Sequence, residues 1–124
     1  FHFVLNAGGR SNLDSPGGVF EPEEWYHVAA TYNGETRRIY LNGEEIESQP
    51  TSGDLVPNDN YLGLGFREAS PHYWMGMLDD MAVFKTALSE DEINDIMTNG
   101  LNGVLSVDKQ GKLPVLWSKI KKND

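Results

Sequence analysis

The stretch WYHVAATYNGETRRIYLNGEEI, residues 25–46, sets two Asn-Gly dipeptides between short runs of alternating apolar and polar residues. Asn-Gly in this setting is the strongest short-range hairpin signal, because both central positions of a type I′ turn need a positive φ. A two-residue loop at Asn33-Gly34 predicts a register that pairs Ala30 with Arg37, Val28 with Ile39 and Tyr26 with Leu41. A second loop at Asn42-Gly43 pairs Leu41 with Glu44, Ile39 with Ile46 and Arg38 with Glu47. The expected element is a three-stranded antiparallel meander with two distinct faces. Tyr26, Val28, Ala30, Ile39, Leu41 and Ile46 are expected on a core face. Trp25, His27, Ala29, Thr31, Arg38, Tyr40 and Glu47 are expected on an outward one.

Other strand candidates lie on either side. Upstream are FHFVLN (1–6) and GGVF (17–20); downstream are YLGLGF (61–66) and the longer YWMGMLDDMAVF (73–84). On the last of these, strand alternation places Asp79 on one face with Met77, Met81 and Val83, and Asp80 on the other. Pro16, Pro22, Pro50, Pro57 and Pro71 fall in the gaps, where they cost no ladder bond. SEDEINDIMTNG (89–100) has Ser89 as an N-cap and Glu92 three residues on, a capping box. Ile93, Ile96 and Met97 form its apolar stripe, and Gly100 suits the position after the last turn. Beyond it, VLSV (104–107) and KLPVLWSKI (112–120) read as extended segments, the second confined to an edge by Pro114. Many short strands, Gly/Pro turns and one short helix predict an all-β fold. The expected form is an antiparallel β-sandwich or jelly roll, residues 1–100, followed by an extended basic tail over residues 101–124.

The 124 residues make one domain with enough apolar content, 39%, to form a core. Mean hydropathy is −0.48, and no apolar run approaches the roughly 20 residues that span a bilayer. Without cysteine there is neither a disulfide nor thiol chemistry. Net charge is −9, unevenly spread: residues 1–108 carry −13 and residues 109–124 carry +4, from Lys109, Lys112, Lys119, Lys121 and Lys122 against Asp124. An acidic body argues against nucleic acid and against an anionic membrane as partners. The lysine-rich tail is either a solvated terminus or a clasp on an acidic surface.

EWYHVAATYNGETRRIYLNGEEI followed by GMLDDMAVFKTALSEDEI resembles the laminin-G-like, concanavalin-A-like jelly-roll domains of bacterial exported proteins. The resemblance is carried by Trp25, His27, Val28 and Ala29, by the hairpins at Asn33-Gly34 and Asn42-Gly43, by Gly76, Leu78 and Asp79, and by the Leu88-Ser89 helix start. It covers residues 1–100, with Asp80 standing where the family usually has Glu. It implies an extracellular or cell-surface location and a recognition or adhesion role. Family members usually carry further strands before the equivalent of FHFVLN. The resemblance is therefore to the C-terminal part of the domain, and a second chain, a copy or a separate N-terminal piece, is expected to complete the fold.

Catalytic signatures are sparse. His2, His27 and His72 lack metal-ligand spacing, and no nucleophile elbow, P-loop or cysteine nucleophile is present. Asp79 and Asp80, adjacent on a strand, point to opposite faces and do not form the facing carboxylate pair a glycosidase needs. The chain therefore reads as a non-enzyme. An inward Asp79 needs either a cation or hydrogen-bond donors. The resemblance implies a structural Ca2+ with Asp79 as one ligand, and the alternative is a pair with Arg37 or backbone N–H groups. Sugar binding in this fold class uses exposed aromatic rings with polar neighbours. The candidate ligand-binding set is Trp25, His27, Arg38 and Tyr40 on the outward face, with Tyr73 and Trp74 adding aromatics on a separate loop or strand start. The alternative for Trp25 is that it only fills the sandwich edge. Two functions follow as expectations: a glycan-binding recognition module, or a structural assembly module whose ligand is another protein chain.

Overall fold

The computed structural model describes residues 1–57, 63–67 and 72–101. Within them the chain forms β1 (His2–Asn6), β2 (Arg10–Asp14), β3 (Val28–Tyr32), β4 (Thr36–Leu41), β5 (Glu44–Pro50), β6 (Phe66–Arg67), β7 (His72–Tyr73) and α1 (Glu90–Asn99). All pairing is antiparallel: β1 with β2, β3–β4–β5 as a meander, and β6 with β7. The expected tail segments at 104–107 and 112–120 lie outside the described residues, as do Tyr61 and Leu62.

The meander forms where the sequence places it, but its register differs. Val28 pairs with Leu41, Ala30 with Ile39 and Tyr32 with Arg37, a shift of two residues from the expected Val28–Ile39 pair. Asn33 is the reason. Its Oδ1 accepts the N–H groups of Glu35 and Thr36, at 3.0 and 2.8 Å, and its backbone N–H reaches the Thr36 carbonyl. Asn33 thus closes the loop as its first flanking residue, and Gly34, φ 95°, becomes the first central residue. Such side-chain to backbone bonds are what make Asn a turn residue. A slip of two preserves the faces, so Val28, Ala30, Ile39 and Leu41 still share one side.

The second turn is as expected, with Asn42 at φ 50° and Gly43 at φ 89° between the paired Leu41 and Glu44. Beyond it the ladder carries a bulge. Tyr40 pairs with Glu45 and Ile39 with Glu47, which leaves Ile46 unpaired rather than opposite Ile39. Arg38 consequently faces Ser48, not Glu47, and its guanidinium makes an ion pair with Glu45 at 3.1 Å.

Both faces of the meander are covered. On the Ile39 side, the Arg37 Nη1 donates to the Ser11 carbonyl of β2 at 2.9 Å, which places the β1–β2 hairpin on that side. Ile39 is fully buried and Arg37 is 1% exposed. Leu13 and Ala7 are buried as well, and Ala7 bridges to Leu55. On the opposite side, the Asn94 amide of α1 donates to the Gly43 carbonyl at 3.1 Å, and Glu90 lies near enough to act on Tyr40. Tyr40 is accordingly 4% exposed, and Thr31 is buried beside it. The face expected to point outward is therefore partly a helix-packing face. The helix itself matches its sequence signals. Ser89 and Glu92 form the capping box, Ile93 is buried, and the Gly100 N–H closes on Ile96 at the C-terminus.

Two expected strands do not form. GGVF has a turn at Gly17-Gly18 and no ladder, and Phe20 instead packs edge-on against Tyr26 with centroids 5.2 Å apart. In YWMGMLDDMAVF only Tyr73 is in a strand. Asp80 takes a left-handed φ of 46°, which ends the alternation, and residues 74–84 have no ladder partner among the described residues. Met75, Met77, Leu78, Met81 and Val83 are all exposed, Met75 at 96%. Conversely β2 was not expected. Its sequence, RSNLD, has one strong apolar residue, Leu13, and is held in a strand by pairing with β1.

Candidate functional site

A pocket of about 380 Å3 opens where the entry to β3, the β4–β5 turn, the 79–80 turn and the C-terminal end of α1 meet. Each wall has a local cause. Asn42 sits in the turn with positive φ, and its Oδ1 accepts the His27 N–H at 3.0 Å while its own N–H donates to the His27 carbonyl at 2.8 Å. This reciprocal pair ties the residues before β3 to the hairpin turn and sets His27 and Trp25 beside the opening. Asp79 Oδ1 accepts the Asp80 N–H at 2.9 Å, which stabilises the left-handed residue and brings both aspartates to the pocket. Ile96, Met97 and Leu101 supply the apolar wall.

The expected ligand-binding residues separate into groups. Trp25, 60% exposed, and His27 line the pocket. Arg38 and Tyr40 do not. Arg38 is engaged by Glu45, and Tyr40 is buried. Burial raises the Tyr40 phenol above its ordinary pKa, and the carboxylates of Glu45 and Glu90 add to this against a hydrogen bond with Thr31 and the charge of Arg38. Tyr73 and Trp74 are exposed, but neither lines the Trp25 pocket. The Trp74 indole folds back over its own loop, so that a Cβ added at Gly76 would lie 3.0 Å from Nε1.

Asp79 is exposed rather than inward, because the strand that was to turn it inward does not form. It has no contact with Arg37, whose guanidinium is bound by Thr51, Ser11 and Gln49. Calcium takes 6–8 oxygen ligands. Among the described residues no three His, Cys, Asp or Glu side chains converge at Asp79. Sequence reasoning missed Asn42 and Asp80 as pocket residues. The Asn42-Gly43 signal was legible as a turn, but what the turn faces depends on where α1 packs.

His27 is the polar residue whose environment is most altered. Burial lowers its imidazole pKa, favouring the neutral ring, and its Nδ1 is buried with no hydrogen-bond partner among the described residues. A buried polar atom left unpaired costs about 1–3 kcal/mol.

The model of the laminin G-like family, described as the concanavalin A-like lectin/glucanases superfamily, matches residues 1–94. The chain belongs to this superfamily. Its antiparallel sheets and short helix are those of a concanavalin A-like β-sandwich, and laminin G-like domains are binding modules of the non-catalytic kind. Among curated proteins it is similar to pappalysin-1 of Mus musculus, 29% identical over 107 residues, covering 82% of this chain and 6% of the relative. Pappalysin-1 of Homo sapiens is 29% identical over 109 residues, covering 81% and 6%. The chain thus spans a small part of the curated relatives it matches. Among solved structures it is similar to an S-layer domain-containing protein from Clostridium thermocellum (residues 221–444), with 30% identity and a TM-score of 0.53. That match covers 73% of this chain and 46% of the other.

Proposed function

We propose that this laminin G-like domain is a non-catalytic recognition module of an extracellular or cell-surface protein, and that it binds glycan in the pocket headed by Trp25. The observation that carries this reading is the 60% exposed indole of Trp25 at an opening that also holds His27 and Asn42. A large, rigid ring with polar neighbours is the arrangement that stacks on the apolar face of a pyranose and hydrogen-bonds its hydroxyls. Likeness to an S-layer domain-containing protein supports the surface location, and no helix among the described residues is long and apolar enough to cross a membrane. Asp79 and Asp80 occupy one turn rather than facing walls, which favours binding over glycoside hydrolysis. Titration with a panel of neutral and charged oligosaccharides, read by tryptophan emission, tests the reading. Trp25→Ala is expected to weaken binding by about tenfold or more, and Trp74→Ala to leave it within about twofold. The opposite order would move the site to the β6–β7 loop.

The exposed Met75, Met77, Leu78, Met81 and Val83 favour a second reading, an assembly module whose ligand is another protein chain. Contiguous exposed apolar surface marks association sites, and unpaired extended backbone recruits strands. Light scattering at micromolar concentration is expected to show a defined oligomer. A monodisperse 13.9 kDa species overturns this reading.

A further inference from the structure

We propose that the Trp25 pocket selects sugars that carry a protonated amine. The proposal rests on the glycan reading and adds the charge of the ligand. Two carboxylates, Asp79 and Asp80, line the pocket, and among the described residues no lysine or arginine does. Asp79 spends one oxygen on the Asp80 N–H, and both side chains remain open to solvent and to a ligand. The C-terminal end of α1 forms the adjoining wall, and its last turn carries no basic residue to offset the negative end of the helix dipole. Arg38, on the meander's helix side, is held by Glu45. The local potential is therefore negative, in keeping with the −13 carried by residues 1–108.

Such a field repels uronic, sialic and sulfated sugars and attracts an ammonium group. The Trp25 face serves both parts of an amino sugar, stacking on its C–H groups and attracting its charge. His27 and Asn42 add polar groups to the lining. Ile96 and Met97 add an apolar surface to the same pocket. An aromatic plate and paired carboxylates suit a hexosamine better than a neutral hexose, which would leave the carboxylates without a counter-charge.

The test uses the whole chain with glucosamine and N-acetylglucosamine tetramers, at a pH where the free amine is protonated and at low ionic strength. The glucosamine tetramer is expected to bind about tenfold tighter or more, and added salt is expected to erode the difference. The double variant Asp79→Asn, Asp80→Asn keeps the side-chain oxygen that accepts the Asp80 N–H, and both positions are exposed, so an unchanged melting transition serves as its folding control. In it the preference is expected to fall within about twofold. Equal affinities of the unaltered chain for the two tetramers overturn the amine selection and leave the glycan reading standing. Binding of neither overturns both. A preference that survives in the double variant overturns the assignment to the carboxylates, and a tetralysine peptide that binds as tightly as the glucosamine tetramer overturns the selection of a sugar.

Discussion

Arg37→Ala is expected to lower the unfolding free energy by about 3 kcal/mol or more, measured by urea denaturation. Arg37 is among the largest fully buried side chains, at 1% exposure, and it joins three separate segments. Its Nε donates to Thr51 Oγ1 at 2.8 Å, Nη1 to the Ser11 carbonyl at 2.9 Å, and Nη2 to Gln49 Oε1. The bond to Ser11 connects β4 to β2, and the other two hold β5 and the residue that follows it. Alanine removes these bonds and leaves a cavity at the centre of the contact between hairpin and meander. Removing the charge also removes the cost of burying a cation that has no carboxylate partner among the described residues. The two effects can be separated. Gln49 is exposed and Thr51 half-buried, so both can turn to water, whereas the Ser11 carbonyl is fixed by the backbone. Arg37→Met, which fills most of the volume, is therefore expected to cost only about 1 kcal/mol, the lost bond to the Ser11 carbonyl partly offset by the desolvation it relieves. Arg37→Lys keeps the charge but lacks the planar fork that reaches three acceptors at once, and is expected to fall nearer to alanine than to methionine. A methionine variant as unstable as alanine would show that the bonds, not the filled volume, dominate.

Gly43→Ala is expected to cost about 2 kcal/mol and to weaken the Trp25 pocket together with the fold. Gly43 has φ 89°, and a Cβ there would lie 2.0 Å from Asn94 Oδ1 and 2.9 Å from its Cγ. About 1 kcal/mol comes from holding alanine in the left-handed region. The rest comes from displacing Asn94, whose amide bonds both the Gly43 carbonyl and the Glu90 carbonyl. Met97, with its methyl 3.2 Å from the same point, moves with the helix, and Met97 is a wall of the pocket. A double-mutant cycle with Asn94→Ala isolates the steric part, since contacting residues are where additivity fails. The pair is expected to be no less stable than Gly43→Ala alone. Full additivity of the two costs would remove the clash as an explanation and leave backbone strain alone.

Residues 25–46 determine the meander by themselves. The two Asn-Gly turns and the period-two pattern require three antiparallel strands, and the Ser89–Glu92 box requires the helix start, because these are local effects that act over a few residues. The family resemblance was legible for the same reason, as its motifs are turns, caps and short strands. The register was not, because Asn33 had two local options: a central turn position, or a flanking position with its side chain bonded to Glu35 and Thr36. Both preserve the alternation of faces, so the hydrophobic pattern cannot choose between them. The bulge at Ile46 and the strand at β2 were likewise decided by partners distant in sequence.

The candidate site followed the same division. Trp25 and His27 were legible as an aromatic and polar pair at a strand entry. Arg38 and Tyr40 share the parity of His27 on the meander, yet the packing of α1 buries Tyr40, and Glu45 holds Arg38. Asp79 was assigned inward by strand alternation, which presumes a ladder. A ladder needs a neighbouring strand, and residues 74–84 have none among the described residues. Turn chemistry and side-chain periodicity are written in the sequence. Which face meets a helix, and which segment finds a partner, is settled only when distant parts of the chain compete to bury the same surface.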